Sequence, residues 1–192
     1  VTGSHNPSEY NGFKMVMEGK PFFGEDIQKL VPLVENELAR LDPSIDFSQT
    51  AVEFAEYNSL DRYVDFFLDH VKIGSKKIKL VVDAGNGAAG QLALKCYEKM
   101  GCEVIPLFCE FDGRFPNHHP DPTVEKNLVD LKKAVTENNA DFGIAFDGDG
   151  DRIGAVTASG KMLYGDQLLL YLAKDLLKDV PGATIILSLI HI

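Results

Sequence analysis

Cysteine is scarce in these 192 residues. Cys96, Cys102 and Cys109 make an odd count, and no two have the close spacing of a zinc knuckle or a redox motif. A disulfide scaffold is excluded; the three read as small apolar residues of a reducing compartment, so a cytoplasmic location is expected. Basic residues are also short, with 19 Lys+Arg against 29 Asp+Glu and a net charge of −10. No nucleic-acid partner is expected, because counterion release needs clustered Lys and Arg. Long hydrophobic runs are missing too. None reaches the roughly 18 residues that span a bilayer, so no membrane partner is expected, and Val1-Thr2-Gly3-Ser4 does not open a signal peptide. What remains is 45% hydrophobic and 25% charged, the balance of an ordinary folded domain. At roughly 100–200 residues per domain, one or two domains are expected.

The opening Val1-Thr2-Gly3-Ser4-His5-Asn6-Pro7 has turn formers and no preceding element, so the natural protein is expected to begin earlier. From Asp26, apolar residues at Ile27, Leu30, Val31, Val34, Leu38 and Leu41 follow the helical period, with Pro32 either kinking the helix or marking its first turn. Residues 42–50 read as a connector. A second helix is capped by Asn58 or Ser59 and striped by Leu60, Tyr63, Val64, Phe67, Leu68 and Val71. Residues 78–82 form a strand, 92–100 a helix stopped by Gly101, and 104–108 the next strand, a β-α-β order that implies a parallel pair. After a Pro/His-rich loop, Asp121 as N-cap and Pro122 at the first position start a helix striped by Val124, Leu128, Leu131 and Val135. Strands over 142–146 and 153–157, a turn over 158–161, a helix over 166–177 and an apolar strand over 184–190 complete an α/β pattern.

Three segments carry candidate chemistry. Gly85-Asn86-Gly87-Ala88-Ala89-Gly90 has the spacing of the dinucleotide fingerprint, with Glu110 about twenty residues on; it fits either a cofactor turn or a tight strand-to-helix connection. Asp147-Gly148-Asp149-Gly150-Asp151-Arg152 can bring three carboxylates to one side of an extended loop while its glycines permit a bend. Bare, two such charges about 5–6 Å apart cost roughly 3 kcal/mol at an effective dielectric near 20, and a cation would remove that cost. Oxygen-only ligands select Mg²⁺ or Ca²⁺. An EF-hand fails, since Arg152 stands where its Gly is required and Ala158 where its Glu is required. Arg152 can offer a donor fork to an anion. Finally, Ser4 and His5 lie in a turn-rich segment, but Thr2 and Asn6 replace the glycines of a hydrolase elbow. Taken singly, Ser4, His5 and Lys14 read more readily as ordinary loop and surface residues than as reacting groups.

Together, Val1–Pro7 with Tyr10-Asn11-Gly12-Phe13-Lys14, Asp83-Ala84-Gly85-Asn86-Gly87, Phe115-Pro116-Asn117-His118-His119-Pro120-Asp121-Pro122 and the acidic loop resemble the α-D-phosphohexomutase family, in its bacterial phosphomannomutase/phosphoglucomutase branch. The resemblance implies an α/β protein with a mixed sheet flanked by helices. It implies the end of a first domain over 1–50, a second domain over 51–160 and the start of a third over 161–192, with further sequence on both sides. It also implies a Mg²⁺-dependent intramolecular phosphotransferase that interconverts hexose 1-phosphate and hexose 6-phosphate through a phosphoserine and a 1,6-bisphosphate. Ser4 matches the phosphoserine, although Gly3 stands where many members have Ala. Asp147, Asp149 and Asp151 match the metal ligands, with a phosphate oxygen on Ser4 completing the set. His5 and Lys14 match the proton-transfer groups, and Arg152 matches a residue that holds the phosphoryl group. A phosphosugar is the expected partner. The chain alone is expected to be inactive, because the resemblance places the groups that grip the distal phosphate elsewhere. Under it the 85–90 turn is structural, and a dinucleotide-binding oxidoreductase domain is the alternative. Residues 188–192 depart from the family pattern.

Overall fold

The computed structural model describes residues 15–44, 55, 57–71 and 74–187. These residues divide between Asn58 and Ser59 into two units.

In the first unit, strands β1 (Met15–Met17) and β2 (Lys20–Phe22) form an antiparallel hairpin. Its two tip residues, Glu18 (φ 50°) and Gly19 (φ 75°), both have positive φ, the pattern whose twist matches that of the strands. A short helix α1 (Glu25–Gln28) leads to α2 (Val31–Arg40), which carries Pro32 in its first turn. The proline therefore starts a helix rather than kinking one, because its missing N–H has no partner to lose there. The periodic apolar stripe of α2 is present but exposed at Val31, Val34 and Leu38. Of the expected 42–50 connector, the described residues 42–44 are non-helical, and the Asp42 carboxylate accepts the Ser44 N–H at 2.8 Å.

The second unit holds α3 (Ser59–His70), β3 (Lys79–Asp83), α4 (Gly90–Lys99), β4 (Glu103–Leu107), a 3₁₀ turn (Glu125–Leu128), α5 (Val129–Glu137), β5 (Phe142–Phe146), β6 (Ile153–Thr157), β7 (Met162–Leu163) and α6 (Gly165–Asp179). The sheet runs β4-β3-β5-β6-β7, parallel across its first three strands and antiparallel across the last two. It is a mixed sheet flanked by helices. Pro106 is tolerated in β4 because that strand lies at the sheet's edge.

Alternation along β3 divides the core. Leu80 and Val82 pack with Ile144 and with Ala93 of α4, while Val81 packs on the other face with Ala145, Leu131 and Val135 under α5. Each fully buried Val or Leu contributes roughly 1.5–3 kcal/mol of transfer free energy. Cys96 and Cys109 are buried and Cys102 is half-buried, all three as free thiols. Burial pushes the Cys109 thiol up to about 11, so it behaves as an apolar core residue. No helix among the described residues is long and apolar enough to cross a membrane.

Three local expectations are corrected. The carboxylate of Asp121 caps no helix: it accepts the N–H (3.0 Å) and hydroxyl (2.6 Å) of Thr123, closing a tight turn, and the 3₁₀ segment begins only at Glu125. Tyr63, expected on the apolar face of α3, is exposed, whereas Val64 is fully buried. Residues 184–187 form no strand, and the remainder of that expected element, 188–190, lies outside the described residues.

Candidate metal centre

In a sheet wound in this order, the chain leaves β3 toward β4 on one side and later returns to β5 on the other. The crevice at the carboxyl ends of β3 and β5 is therefore a topological switch point, where such sheets place their ligands. Two carboxylates stand there. Asp83 ends β3, fully buried, and Asp147 follows the last residue of β5 with 1% of its surface exposed. Burial of both, in a protein whose other acidic side chains are exposed or half-exposed among the described residues, marks the site.

Residues 147–152 close the antiparallel β5–β6 connection, so they form a tight hairpin turn rather than the extended loop expected. The Asp147 N–H donates to the Arg152 carbonyl (3.3 Å), the Gly150 N–H to the Asp147 carbonyl (3.1 Å), and the Arg152 N–H to Asp147 Oδ1 (3.0 Å). This turn still converges the three acids: one oxygen from each of Asp147, Asp149 and Asp151 lies within 4.8 Å of the others. Asp149 and Asp151 are solvent-facing, while Asp147 Oδ2 is buried with no hydrogen-bond partner. Arg152 Nε stands 3.7 Å from that oxygen and 3.9 Å from Asp151 Oδ1, with its side chain half-exposed. The nearness of the Asp147 carboxylate, together with the charge of Asp149, raises the Asp151 carboxyl above its usual range, against a smaller opposing pull from Arg152. A carboxylate with a buried oxygen that lacks a donor, gathered with two further carboxylates, is a costly arrangement for a bare protein and a suitable one for a hard divalent cation. The donor set therefore fits Mg²⁺.

The glycine turn at 85–90 packs against this loop. The Ala88 N–H donates to the Gly148 carbonyl at 2.9 Å, between two of the acids. A Cβ on Gly87 would lie 2.8 Å from that same oxygen, and one on Gly90 would lie 2.3 Å from the Cys109 carbonyl oxygen. The close approaches that the fingerprint would use for a pyrophosphate are filled by the protein's own backbone. The Glu110 side chain faces Gln91 Nε2 at 3.4 Å, and its carbonyl accepts from Asn86.

Relatives give the arrangement its context. Residues 61–160, more than half of the chain, match the model for phosphoglucomutase/phosphomannomutase, alpha/beta/alpha domain II, and residues 1–40 match domain I. The chain belongs to the phosphoglucomutase/phosphomannomutase family. It is 51% identical over 186 residues to a phosphomannomutase/phosphoglucomutase of Pseudomonas putida, covering 97% of this chain and 38% of that protein. It is 44% identical over 187 residues to a phosphoglucomutase of Neisseria gonorrhoeae, with 97% and 39% coverage. A crystal structure of a family protein from Burkholderia thailandensis superposes with a TM-score of 0.77 at 43% identity, over 95% of this chain and 38% of that one. The chain thus spans about two-fifths of the length of these relatives. In the family's frame, Asp147, Asp149, Asp151 and Arg152 are brought together, while Ser4, His5 and Lys14 lie outside the described residues.

Two residues beside the loop, both in segments that carry the resemblance, were given no role by the sequence reading. Asp83 Oδ1 accepts the Gly85 N–H at 2.8 Å, and His118 Nε2 lies 3.1 Å from both oxygens of Asp83. His118 Nδ1 lies 3.0 Å from the His119 carbonyl, so both ring nitrogens face acceptors, which only the protonated ring can satisfy. Its hydrogen bond to Asp83 accordingly raises its pKa above the ordinary histidine value, against burial, which lowers it. Besides that resemblance, the signals were a carboxylate closing an apolar strand and a histidine-rich loop 35 residues on.

Proposed function

We propose that the protein takes part in the reversible interconversion of hexose 1-phosphate and hexose 6-phosphate, on mannose, glucose or both, with Ser4 as the phosphoryl carrier. The names of its relatives support the reaction class. One observation supports the site: Asp147, whose Oδ2 is buried without a hydrogen-bond partner, brings one carboxylate oxygen within 4.8 Å of oxygens of Asp149 and Asp151. These three would hold Mg²⁺, with a phosphate oxygen on Ser4 as a further ligand. When bound, the ion supplies positive charge against the phosphoryl oxygens. In domain terms, we assign 1–50 to the segment bearing the serine, 51–160 to the domain bearing the metal loop and 161–192 to the start of a third.

The residues divide the chemistry as follows. A sugar hydroxyl attacks the phosphorus of phospho-Ser4; the new P–O bond forms as the P–Oγ bond breaks. The hydroxyl is a poor nucleophile near neutral pH, so one of His5 and Lys14 takes its proton. The hexose 1,6-bisphosphate then turns end over end. Ser4 Oγ attacks its other phosphorus as the bond from that phosphorus to the sugar oxygen breaks, leaving hexose 6-phosphate, and the proton taken in the first transfer is returned through the same pair of groups to the departing sugar oxygen. The Arg152 guanidinium, half-exposed beside the acids, is free to donate to phosphoryl oxygens during both transfers.

The test is the second half of this cycle run alone. Full-length protein treated with phosphatase is incubated with a hexose 1,6-bisphosphate and Mg²⁺, and peptide masses are read. One phosphate on the peptide containing Ser4, lost in Ser4→Ala, is the expected result. Phosphate elsewhere, or none, refutes the assignment.

A further inference from the structure

Of the four polar or charged side chains most deeply buried among the described residues, three cluster at one end of the sheet: Asp83, Asn86 and Asp147. Asp147 belongs to the acidic loop. Asp83 and Asn86 touch no metal-loop carboxylate, yet both are spent on the neighbouring glycine turn. Asp83 holds Gly85 through its N–H and holds His118 from the opposite side. Asn86, at φ 63°, gives its backbone N–H to the Phe108 carbonyl (2.7 Å) and its Nδ2 to the Glu110 carbonyl (2.8 Å). Its Oδ1 accepts Asn117 Nδ2 at 2.7 Å. The His118 ring also stacks edge-on against Phe108, with centroids 5.5 Å apart. Four of these links, His118 to Asp83 and the bonds of Asn86 to Phe108, Glu110 and Asn117, fasten residues 108–118 to residues 83–86.

What this framework fixes is the next residue pair. The Gly87 N–H bonds to the Ala84 carbonyl (2.7 Å), which closes the turn and aims the Ala88 N–H at the Gly148 carbonyl. Gly148 lies between Asp147 and Asp149, and the bare α-carbon of Gly87 lets its backbone sit this close. We propose that Asp83 and His118 are positioning residues for the metal loop: by locking the 85–88 turn, they hold the Gly148 peptide and hence the spacing of the carboxylates on either side. This inference rests on the metal reading of residues 147–151. It assigns the pair a purpose that core packing does not require, since an apolar pair would fill the same space without a buried charge.

The test measures Mn²⁺ binding to the purified protein by electron paramagnetic resonance of the free ion, with folding followed by circular dichroism. Outer-shell partners of metal ligands are generally worth about 10–100-fold in metal affinity, and a link one residue further out belongs at the lower end, about tenfold. His118→Ala and Gly87→Ala are each expected to weaken Mn²⁺ binding about tenfold. His118→Gln, whose amide can still donate to Asp83, is expected to restore it to within about twofold. Gly113→Ala, at a position with open space around it, leaves it unchanged. In metal-free protein, the Ala88 amide exchanges with solvent faster in His118→Ala than in the unaltered chain. Unchanged Mn²⁺ affinity in either folded variant overturns the inference, and should His118→Ala not fold, Gly87→Ala decides. A protein that binds no Mn²⁺ at all refutes the metal reading itself and this inference with it. Binding that ignores these substitutions refutes the positioning role alone.

Discussion

Gly90 opens α4 at the point where that helix crosses the end of β4, and adding one methyl group there tests how the glycine turn is used. A Cβ on residue 90 would meet three backbone atoms of Cys109, its oxygen at 2.3 Å and its carbonyl carbon and Cα at 2.9 Å. Ordinary contact needs about another 1 Å, and no side-chain rotation can supply it, because the obstruction is main chain. Either α4 lifts from the sheet or the Cys109 segment moves. Both loosen the cluster of Leu80, Val82, Ala93 and Ile144 that α4 covers. We expect Gly90→Ala to cost about 3 kcal/mol, the upper end for overpacking. For a unit of this size that is a fall of roughly 10 °C in melting temperature by calorimetry. Gly113→Ala, with no atom within 4 Å, is the matched control and should melt as the unaltered protein does. If Gly90→Ala melts within about 3 °C of the control, the close backbone packing is not what the glycine serves, and the structural account of the turn fails.

Two further outcomes follow from the site. Asp149→Asn, at an exposed ligand position, should weaken Mn²⁺ binding by at least about tenfold and lower mutase turnover in the full-length enzyme, with the melting temperature unmoved; unchanged affinity and kinetics would remove Asp149 from the ligand set. The His118 ring faces Asp83, the His119 carbonyl and, at longer range, Asp130, and its pKa is raised in the folded state. Its contribution to stability is therefore complete below about pH 6.5, the unfolded value, and is lost as pH rises through the higher folded value. Melting temperature measured against pH in metal-free buffer should fall across that window, and His118→Gln should flatten the fall; parallel curves for the two proteins would contradict the ion pair.

Much of the second unit was readable in advance. Strands at 142–146 and 153–157 matched to the residue, since short β-branched and apolar runs bounded by turn formers leave few alternatives. The convergence of the three carboxylates was readable because they stand two residues apart in a segment whose glycines permit a bend. Errors gathered where local side-chain chemistry competes with periodicity. Asp121 has the residue type of a helix cap but spends its carboxylate on Thr123 two residues away, delaying the helix. Tyr63 lies on the predicted stripe of α3 but is exposed, while Val64 beside it is sealed. A pattern of period 3.6 states which side is apolar, not how wide a strip a partner will cover.

The sequence by itself determined the α/β pattern, the convergence of Asp147, Asp149 and Asp151, and the failure of an EF-hand, because these depend on spacing along a few residues. Only the tertiary structure decided that the glycine fingerprint is filled by the backbone of Gly148 and Cys109, that Asp147 Oδ2 is left buried without a donor, and that His118 reaches across 35 residues to Asp83. Each of those facts is a meeting of segments distant in the chain. Such meetings are set by which strands lie side by side in the sheet, and spacing along one segment carries no record of its neighbour.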